Sequence, residues 1–151
     1  MNKGIYCLVL KNTECSVTIG ALGDAHFAAG WHCYIGSALG PGGFARVYRH
    51  WSLHKNHDKV PSWHIDYLLL NQDFHLKYVI CGITSQKKEC SLALVVDGTS
   101  IEGFGASDCS CKSHLFYRSS NPIDELKSAF QSIGLIPISK KSLPIGDDVR
   151  V

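Results

Sequence analysis

The sequence contains no long hydrophobic run and carries little net charge. Its longest strictly apolar stretches, such as Ile5–Leu10, are far shorter than the roughly 20 residues of a transmembrane helix. No membrane span is therefore predicted. No small-residue cleavage site follows the first residues, so we expect no secretory signal and a cytoplasmic protein. A formal net charge of +2 excludes a histone-like polycation.

Internal repeats and low-complexity segments are also absent from the sequence. A length of 151 residues corresponds to one domain of ordinary size. A hydrophobic content of 45%, with 19% charged residues, excludes a disordered chain. We assign residues 1–134 to this domain. Residues 135–151, which include Pro137 and Pro144, are predicted to form an extended C-terminal tail.

The seven cysteines are an odd number, so they cannot all pair within one chain. Because no secretory signal is expected, we expect a reducing compartment and free thiols. Four cysteines lie within apolar stretches and are predicted to be small core residues: Cys7, Cys33, Cys81 and Cys90.

The hydrophobic pattern predicts an α+β fold, in which helices pack on a small mixed sheet. Residues 4–10 and 15–19 are predicted to form a β-hairpin around a short turn. Ser62 is a candidate cap for the second helix. The predicted helices span about 44–53, 63–71, 84 or 85 to 96, and 121–132, and the other predicted strands span 31–36, 76–83 and 114–118.

Positive charge is concentrated on and after the first predicted helix. Arg46, Arg49 and His50 share one helical face because they are spaced at i, i+3 and i+4. Lys55 and Lys59 follow them. This surface is either a solvated face or a surface that binds phosphates. Nearby aromatic residues could stack on exposed bases, but their helical spacing is better explained by core packing: Tyr48, Trp51 and Trp63.

Two tripeptides stand out in the first part of the chain, Gly4-Ile5-Tyr6 and Tyr34-Ile35-Gly36. Each alone is a weak signal, because such triplets occur by chance in many strands. Arg46 follows Gly36 by ten residues, His50 comes one helical turn later, and Glu89 lies on a separate predicted helix. Two strand tyrosines, a helix with arginine and histidine on one face, and one helical carboxylate form an ordered set.

With this ordered set, the sequence resembles the GIY-YIG nuclease superfamily, and most closely its Uri-like branch. The resemblance extends from Gly4 to Tyr117 and implies a three-stranded antiparallel sheet flanked by helices. The connector of 27 residues between Tyr6 and Tyr34 is longer than in many relatives; the Uri-like branch shares it, and its role is open. The segments that carry the resemblance also include Gly36–Ala38, Arg46–His50, Trp63–Leu68, Glu89-Cys90 and Gly103–Cys111.

The resemblance implies a metal-dependent endonuclease that hydrolyses phosphodiester bonds in nucleic acid. DNA is favoured over RNA as the substrate, and cutting is expected to be structure-directed or weakly sequence-selective. Mg²⁺ or Mn²⁺ is the implied cofactor, and a DNA-processing protein is a possible partner. The residues themselves do not distinguish DNA from RNA, or single strands from duplexes.

The resemblance also implies a role for each residue of the set. Glu89 would bind the metal, and Arg46 would hold the scissile phosphate. His50 would hydrogen-bond phosphate or pass a proton. Tyr6 would be the general base, with nearby cations favouring its phenolate, and Tyr34 would position water or phosphate. Each residue also has an ordinary structural alternative: a packed strand tyrosine, or a solvated surface arginine, histidine or glutamate.

Further residues are expected to bind nucleic acid outside the reaction centre. Arg49, Lys55 and Lys59 would contact phosphates. In Trp63–Tyr67, His64 and Asp66 are too close on one helix to face the same way. We favour His64 as the residue near substrate.

The cysteines near the end of the resemblance support a different hypothesis. Cys109, Cys111 and His114 could form part of a zinc site, with Cys90 or Asp108 as a further ligand. The Cys-x-Cys spacing is tighter than the usual zinc spacing, so thiols packed against the sheet are the simpler interpretation. Two other functions therefore remain open: a nucleic-acid-binding module without catalysis, and a zinc-stapled interaction domain.

Overall fold

The computed structural model describes residues 3–105 and 111–141. Within these residues, strands and helices follow one another in the order β-β-β-β-α-α-β-α-β-α-β, with a single 3-10 turn at 20–22. The strands are β1 (Gly4–Asn12), β2 (Cys15–Ile19), β3 (Gly23–Phe27), β4 (Gly30–Ala38), β5 (Phe74–Ile83), β6 (Leu115–Arg118) and β7 (Ile138–Lys141), and the α-helices are α1 (Ala45–Asn56), α2 (His64–Leu69), α3 (Glu89–Val96) and α4 (Ile123–Ser132).

The principal sheet has five strands in the order β6-β4-β1-β5-β7, and every neighbouring pair is antiparallel. A second sheet contains only β2 and β3. The predicted α+β class is confirmed. The predicted sheet of three strands was too small, because the short strands β6 and β7 pair with the outer edges of β4 and β5. The expectation of a mixed sheet was wrong, since all of these pairs are antiparallel.

Strand β1 is the centre of the molecule. Its residues from Gly4 to Leu10 are all buried, because helices cover both faces of the sheet. On one face, Tyr6, Leu8 and Leu10 pack with side chains of α1 and α2. On the other face, the alternating residues of β1 pack with side chains of α3 and α4. A strand that is apolar on both faces is typical of such a central position.

The predicted hairpin between β1 and β2 was wrong. Strand β1 pairs with β4 and β5, whereas β2 pairs with β3. Burial explains this pairing. Strand β2 buries only alternate residues, Val17 and Ile19, and so suits a small sheet with one face exposed to solvent. The long connector between Tyr6 and Tyr34 thus contains a β-hairpin, which packs on α2 through residues such as Val17.

Helices α2 and α3 begin at later residues than predicted. Helix α2 begins at His64, and its cap is the Asp66 carboxylate rather than Ser62. Asp66 Oδ2 accepts hydrogen bonds from the backbone N–H groups of Ser62 (2.8 Å) and Trp63 (3.0 Å). Helix α3 begins at Glu89, several residues later than predicted, so Glu89 occupies its first turn.

The cysteines fall into two groups. Cys7, Cys33 and Cys81 are buried free thiols, which confirms the prediction that they are small core residues. Cys90 corrects that prediction, because it is only half-buried and its sulfur lies at disulfide distance from that of Cys111.

Two further predictions concern the whole chain. The predicted extended tail contributes β7, which pairs with β5, and its part beyond residue 141 lies outside the described residues. Across the described ranges, no helix has the length and apolar character needed to cross a membrane.

Candidate active-site cleft

A cleft of about 500 Å³ opens where the ladder between β4 and β6 ends. The last pair of that ladder is Tyr34 with Leu115, and the following residues of β4 border the cleft. Five of the predicted catalytic and nucleic-acid-binding residues line it: Tyr6, Tyr34, Arg46, His64 and Glu89. They come from β1, β4, α1, α2 and α3, so the fold brings distant parts of the sequence to one place.

Tyr6 and His50 form a buried pair beside the cleft. The Tyr6 hydroxyl lies 2.7 Å from Nε2 of His50, and both side chains are 1% exposed. The ring centroids of Tyr6 and Tyr34 are 6.5 Å apart, because the two tyrosines project from neighbouring strands on the same face. The sequence led us to expect that His50 would hydrogen-bond phosphate or pass a proton, and the structure places it against Tyr6 rather than in the lining of the cleft.

The surroundings of Tyr6 and His50 determine which protonation state each side chain favours. Burial raises the pKa of Tyr6 well above its ordinary value of 10.0, and neighbouring Tyr34 raises it further. The charges of Arg46 and Arg49 act in the opposite direction but are the smaller effect. Burial therefore favours the neutral phenol of Tyr6, and the phenolate expected beside Arg46 and a bound metal ion stays a prediction. Burial, and then the charges of the two arginines, lower the pKa of His50 to about 3.

The buried neutral His50 makes the stability of the protein depend on pH. Its pKa in the folded protein, about 3, lies below the ordinary value of 6.5. Between these values the unfolded chain binds a proton that the folded chain does not, so stability falls as the pH drops from 6.5 towards 3. We expect His50 to reduce the free energy of unfolding by about 2 kcal/mol between pH 7 and pH 5.

Urea denaturation of the wild type and of His50→Gln at both pH values measures this contribution. Other titrating groups, such as His32, whose pKa burial lowers to about 4, are common to both proteins and cancel in the difference. An equal loss of stability in both proteins would contradict a neutral His50.

Gly36 makes room for the Tyr6 ring. The two residues are paired in the β1–β4 register, and a Cβ atom on Gly36 would overlap ring atoms of Tyr6. This close approach explains why glycine ends the second tripeptide, since any side chain there would displace the tyrosine.

Gly36→Ala should lower the free energy of unfolding by about 1–3 kcal/mol, because the added methyl group overpacks the site. Gly40→Ala is the matched control, because no atom lies within 4 Å of a Cβ added to Gly40. Its effect should stay within about 0.5 kcal/mol. Equal effects in urea denaturation would show that Gly36 is not constrained by Tyr6.

Trp63 supports two guanidinium groups at the rim of the cleft. Arg49 lies over the Trp63 ring at 3.9 Å from its centroid, and Arg46 at 4.9 Å. Arg46 Nη1 also donates a hydrogen bond to the carbonyl oxygen of Ser37 (2.9 Å). Trp63 packs against the core, as its helical spacing indicated, and it is also a half-buried platform that limits the mobility of both arginines.

The predicted phosphate-binding lysines lie outside the cleft. Lys59 borders a neighbouring depression of about 440 Å³, which it shares with Arg49. Lys55 is exposed in the last turn of α1. The structure therefore brings Arg49 and Lys59 together beside the cleft, and it leaves Lys55 on the open helix surface.

His64 is fixed in the cleft by a backbone contact. Its Nδ1 accepts a hydrogen bond from the N–H of Gly105 (2.8 Å), and its ring packs on Phe104. Gly105 has a φ of +67°, and a Cβ there would come within 2.9 Å of Tyr34. His64 lines the cleft while Asp66 caps α2, so the two side chains diverge as their spacing predicted.

Glu89 presents an unpaired carboxylate to the cleft. It is half-buried in the first turn of α3, and within the described part of the chain it makes no hydrogen bond or ion pair. A lone carboxylate beside a space for substrate suits Mg²⁺, which takes oxygen ligands and retains several waters. The donor chemistry of the cleft therefore fits the predicted ion.

The sequence analysis missed several residues that line the cleft. Lys87 adds a cation two residues before Glu89, and Ser37 and Ser62 add hydroxyl groups. The sequence signal for Lys87 was its position beside the candidate metal ligand. Ser62 was noted only as a candidate helix cap and Ser37 only as part of Gly36–Ala38. Neither signal pointed to the cleft, since only the folded chain brings the end of β4 beside the start of α2.

The zinc hypothesis is changed by the structure. Cys111 and His114 lie together, and the third side chain beside them is Cys90. Cys109 and Asp108 lie outside the described residues.

The fold and the cleft define a small α+β domain whose polar, largely basic cleft is built on the central strands of an antiparallel sheet. The chain belongs to the family described as domain of unknown function DUF123, whose model matches residues 5–135. Comparisons with curated proteins and with solved structures gave no match.

Proposed function

We propose that this protein is a metal-dependent endonuclease that hydrolyses phosphodiester bonds, as its resemblance to the Uri-like GIY-YIG nucleases implies. The observation that carries the proposal is the convergence of Tyr6, Tyr34, Arg46 and Glu89 on one cleft. A phosphodiester hydrolase needs a positive charge for phosphate, a proton acceptor for water and a site for a metal ion. The cleft supplies a candidate for each.

Arg46 is the candidate for holding the scissile phosphate. Its guanidinium is exposed at the cleft, and the Ser37 carbonyl and the Trp63 ring orient it. A guanidinium held in this way can donate two parallel hydrogen bonds to phosphate oxygens. Lys87 lines the same cleft and adds positive charge for the flanking backbone.

The Tyr6–His50 pair is the candidate proton acceptor. When His50 carries its proton on Nδ1, Nε2 accepts the Tyr6 hydroxyl proton while Tyr6 Oη takes one from the attacking water. His50 ends the step as an imidazolium, which its low pKa opposes. Burial is the largest cause of that low pKa, and the charges of Arg49 and Arg46 are the smaller causes. A bound phosphate would offset these two charges and so make His50 a better base.

Glu89 is the candidate metal ligand, with water and substrate phosphate completing the coordination of Mg²⁺ or Mn²⁺. A divalent ion held there would stabilise negative charge on the phosphate and the leaving oxygen. The remaining polar groups of the cleft, including Tyr34 and His64, would orient water and substrate.

DNA is the favoured substrate and RNA the alternative. The rim of the cleft joins the depression with Arg49 and Lys59, so a nucleic-acid backbone would cross both. Contacts of this kind do not read base sequence. We therefore expect structure-directed or weakly sequence-selective cutting, or direction to DNA by a partner.

The direct test is incubation of the purified protein with labelled single-stranded, duplex, branched and damaged DNAs and RNAs. Each substrate is tested with Mg²⁺, with Mn²⁺ and with excess chelator. We expect metal-dependent cleavage of at least one DNA. Binding without cleavage of any substrate would support the alternative of a non-catalytic nucleic-acid-binding module.

Arg46→Ala should reduce cleavage at saturating substrate by about 100-fold or more, because the charge it loses faces the reacting phosphate. Lys59→Ala and Lys55→Ala should mainly weaken binding. Each should lower the slope of log affinity against log salt by about one unit. Single-turnover rates and salt-dependent binding measure the two effects. An unchanged rate in Arg46→Ala would remove this arginine from the reaction.

A further inference from the structure

Three metal-ligating side chains meet beside the cleft, which His114 alone among them lines: Cys90, Cys111 and His114. The candidate ligand atoms of these residues all lie within 4.8 Å of one another. Cys90 Sγ is 3.8 Å from Nε2 of His114. The Cα atoms of Cys90 and Cys111 are 5.9 Å apart, and the two sulfurs lie at disulfide distance. Such an arrangement of two thiols and one imidazole has no role in the proposed hydrolysis.

The chemistry of this cluster suits zinc. With Zn–S and Zn–N bonds of about 2.3 Å and 2.0 Å, a tetrahedral ion separates the two donor atoms by roughly 3.5 Å. The observed separation of 3.8 Å between Cys90 Sγ and His114 Nε2 is close to that value. The two sulfurs, which lie at disulfide distance, would have to move apart to bind the same ion. Thiolate and imidazole are ligands that select zinc over magnesium, calcium or manganese. Glu89, by contrast, offers the oxygen that magnesium prefers.

The backbone holds His114 firmly in place. Its N–H donates to the carbonyl oxygen of Phe104 (2.9 Å), and its own carbonyl accepts from the N–H of Ile35 (2.9 Å). The hydroxyl of Ser113, the residue before His114, donates a hydrogen bond to the carbonyl oxygen of Leu115 and accepts one from the N–H of Leu115. A ligand fixed in this way loses little freedom when it binds a metal.

We propose that the thiolates of Cys90 and Cys111 and the Nε2 atom of His114 bind one Zn²⁺ ion. Binding releases the two thiol protons and forms two Zn–S bonds and one Zn–N bond, with no change of oxidation state. A disulfide between the cysteines would instead require removal of two electrons, and it would occupy both sulfurs. The zinc site and the bridge therefore exclude each other.

The ion would join α3 to the segment that leads into β6. Cys90 is the second residue of α3, next to Glu89, whereas Cys111 and His114 precede β6. Zinc would therefore fix the end of the helix that presents Glu89 to the cleft. The proposed role of the ion is to hold these two segments together, and it stands whether or not the cleft cleaves nucleic acid.

The test measures the zinc content of the full chain, purified in a non-chelating phosphine reductant without added metal. Plasma mass spectrometry should find about one zinc per chain in the wild type. Cys90→Ser and Cys111→Ser should lose at least nine-tenths of it. Cys15→Ser is the matched control, because Cys15 is a half-buried free thiol on β2, and it should retain the zinc.

Cobalt substitution provides a readout that does not depend on the variants folding. Reduced wild-type protein, stripped of metal and loaded with Co²⁺, should show a thiolate-to-cobalt absorption band and the visible spectrum of a tetrahedral ion. Removal of zinc by a chelator should also lower the melting temperature of the wild type. A reduced wild-type protein that holds no zinc and gives no such cobalt spectrum would overturn the proposal, as would a Cys90–Cys111 disulfide that persists in the reductant.

Discussion

Glu89→Gln should fold like the wild type, bind nucleic acid and cleave it at least about 1,000-fold more slowly. The substitution keeps the size of the side chain and removes the charge that a divalent ion needs. Glu89 has no ion pair or hydrogen bond within the described residues, so its loss should cost little stability. Metal-ion catalysis contributes several kcal/mol of transition-state stabilisation, and losing about 4 kcal/mol slows a reaction by about 1,000-fold.

Single-turnover cleavage and binding assays, with thermal unfolding, separate the effect on chemistry from the effects on affinity and folding. Glu102→Gln is the matched control, because Glu102 is an exposed glutamate that does not line the cleft. It should cleave like the wild type. Cleavage that continues in excess chelator, or a Glu89→Gln variant that cuts at the normal rate, would remove the metal ligand from the proposed reaction.

Tyr6→Phe should cleave about 100-fold to 10,000-fold more slowly, which is the usual contribution of general acid–base catalysis. Phenylalanine retains the ring beside Gly36 and loses the hydroxyl that lies 2.7 Å from His50. The lost hydrogen bond should lower the free energy of unfolding by about 1 kcal/mol. Rates at saturating substrate and urea denaturation measure the two effects. Tyr78→Phe, on β5 at the opposite face of the sheet, is the control and should retain full activity.

A second variant tests whether Tyr6 and His50 work as one unit. If the Tyr6 proton passes to His50, then His50→Gln should also slow cleavage. The double variant Tyr6→Phe/His50→Gln should then be hardly slower than the worse single variant, because groups that act together are not additive. Effects that multiply in the double variant would separate the two residues. Normal cleavage by Tyr6→Phe would leave Tyr34 as the next candidate.

Much of the cleft could be predicted because its residues belong to strong local patterns. The apolar stretch Ile5–Leu10 indicated a strand, and the spacing of apolar residues around Arg46 and His50 indicated a helix. The ordered set, through its family resemblance, then predicted that Tyr6, Tyr34, Arg46 and Glu89 would meet. The structure places all four on one cleft, whereas their proposed roles stay predictions.

The rest of the fold depends on contacts between distant residues, which local patterns do not contain. The residues of β2 (Cys15–Ile19) did not show that this strand would pair with β3, which follows it in the sequence, rather than with β1, which precedes it. Helical spacing put His50 on the same face as Arg46, but it did not show that the Tyr6 ring would cover the imidazole. Cys90 was assigned to the core because its partners lie about 20 residues further along the chain.

The central position of β1 has a consequence during synthesis of the chain. Gly4 at one end of β1 pairs with Ile83 of β5, so one of its two ladders needs a segment about 80 residues away. At 5–20 residues per second, roughly 4–16 s pass between synthesis of these two segments. During that interval the apolar residues of β1 lack half of their strand partners. The nascent chain should therefore bind chaperones through Ile5–Leu10 until β5 leaves the ribosome, and the cleft should be among the last features to form.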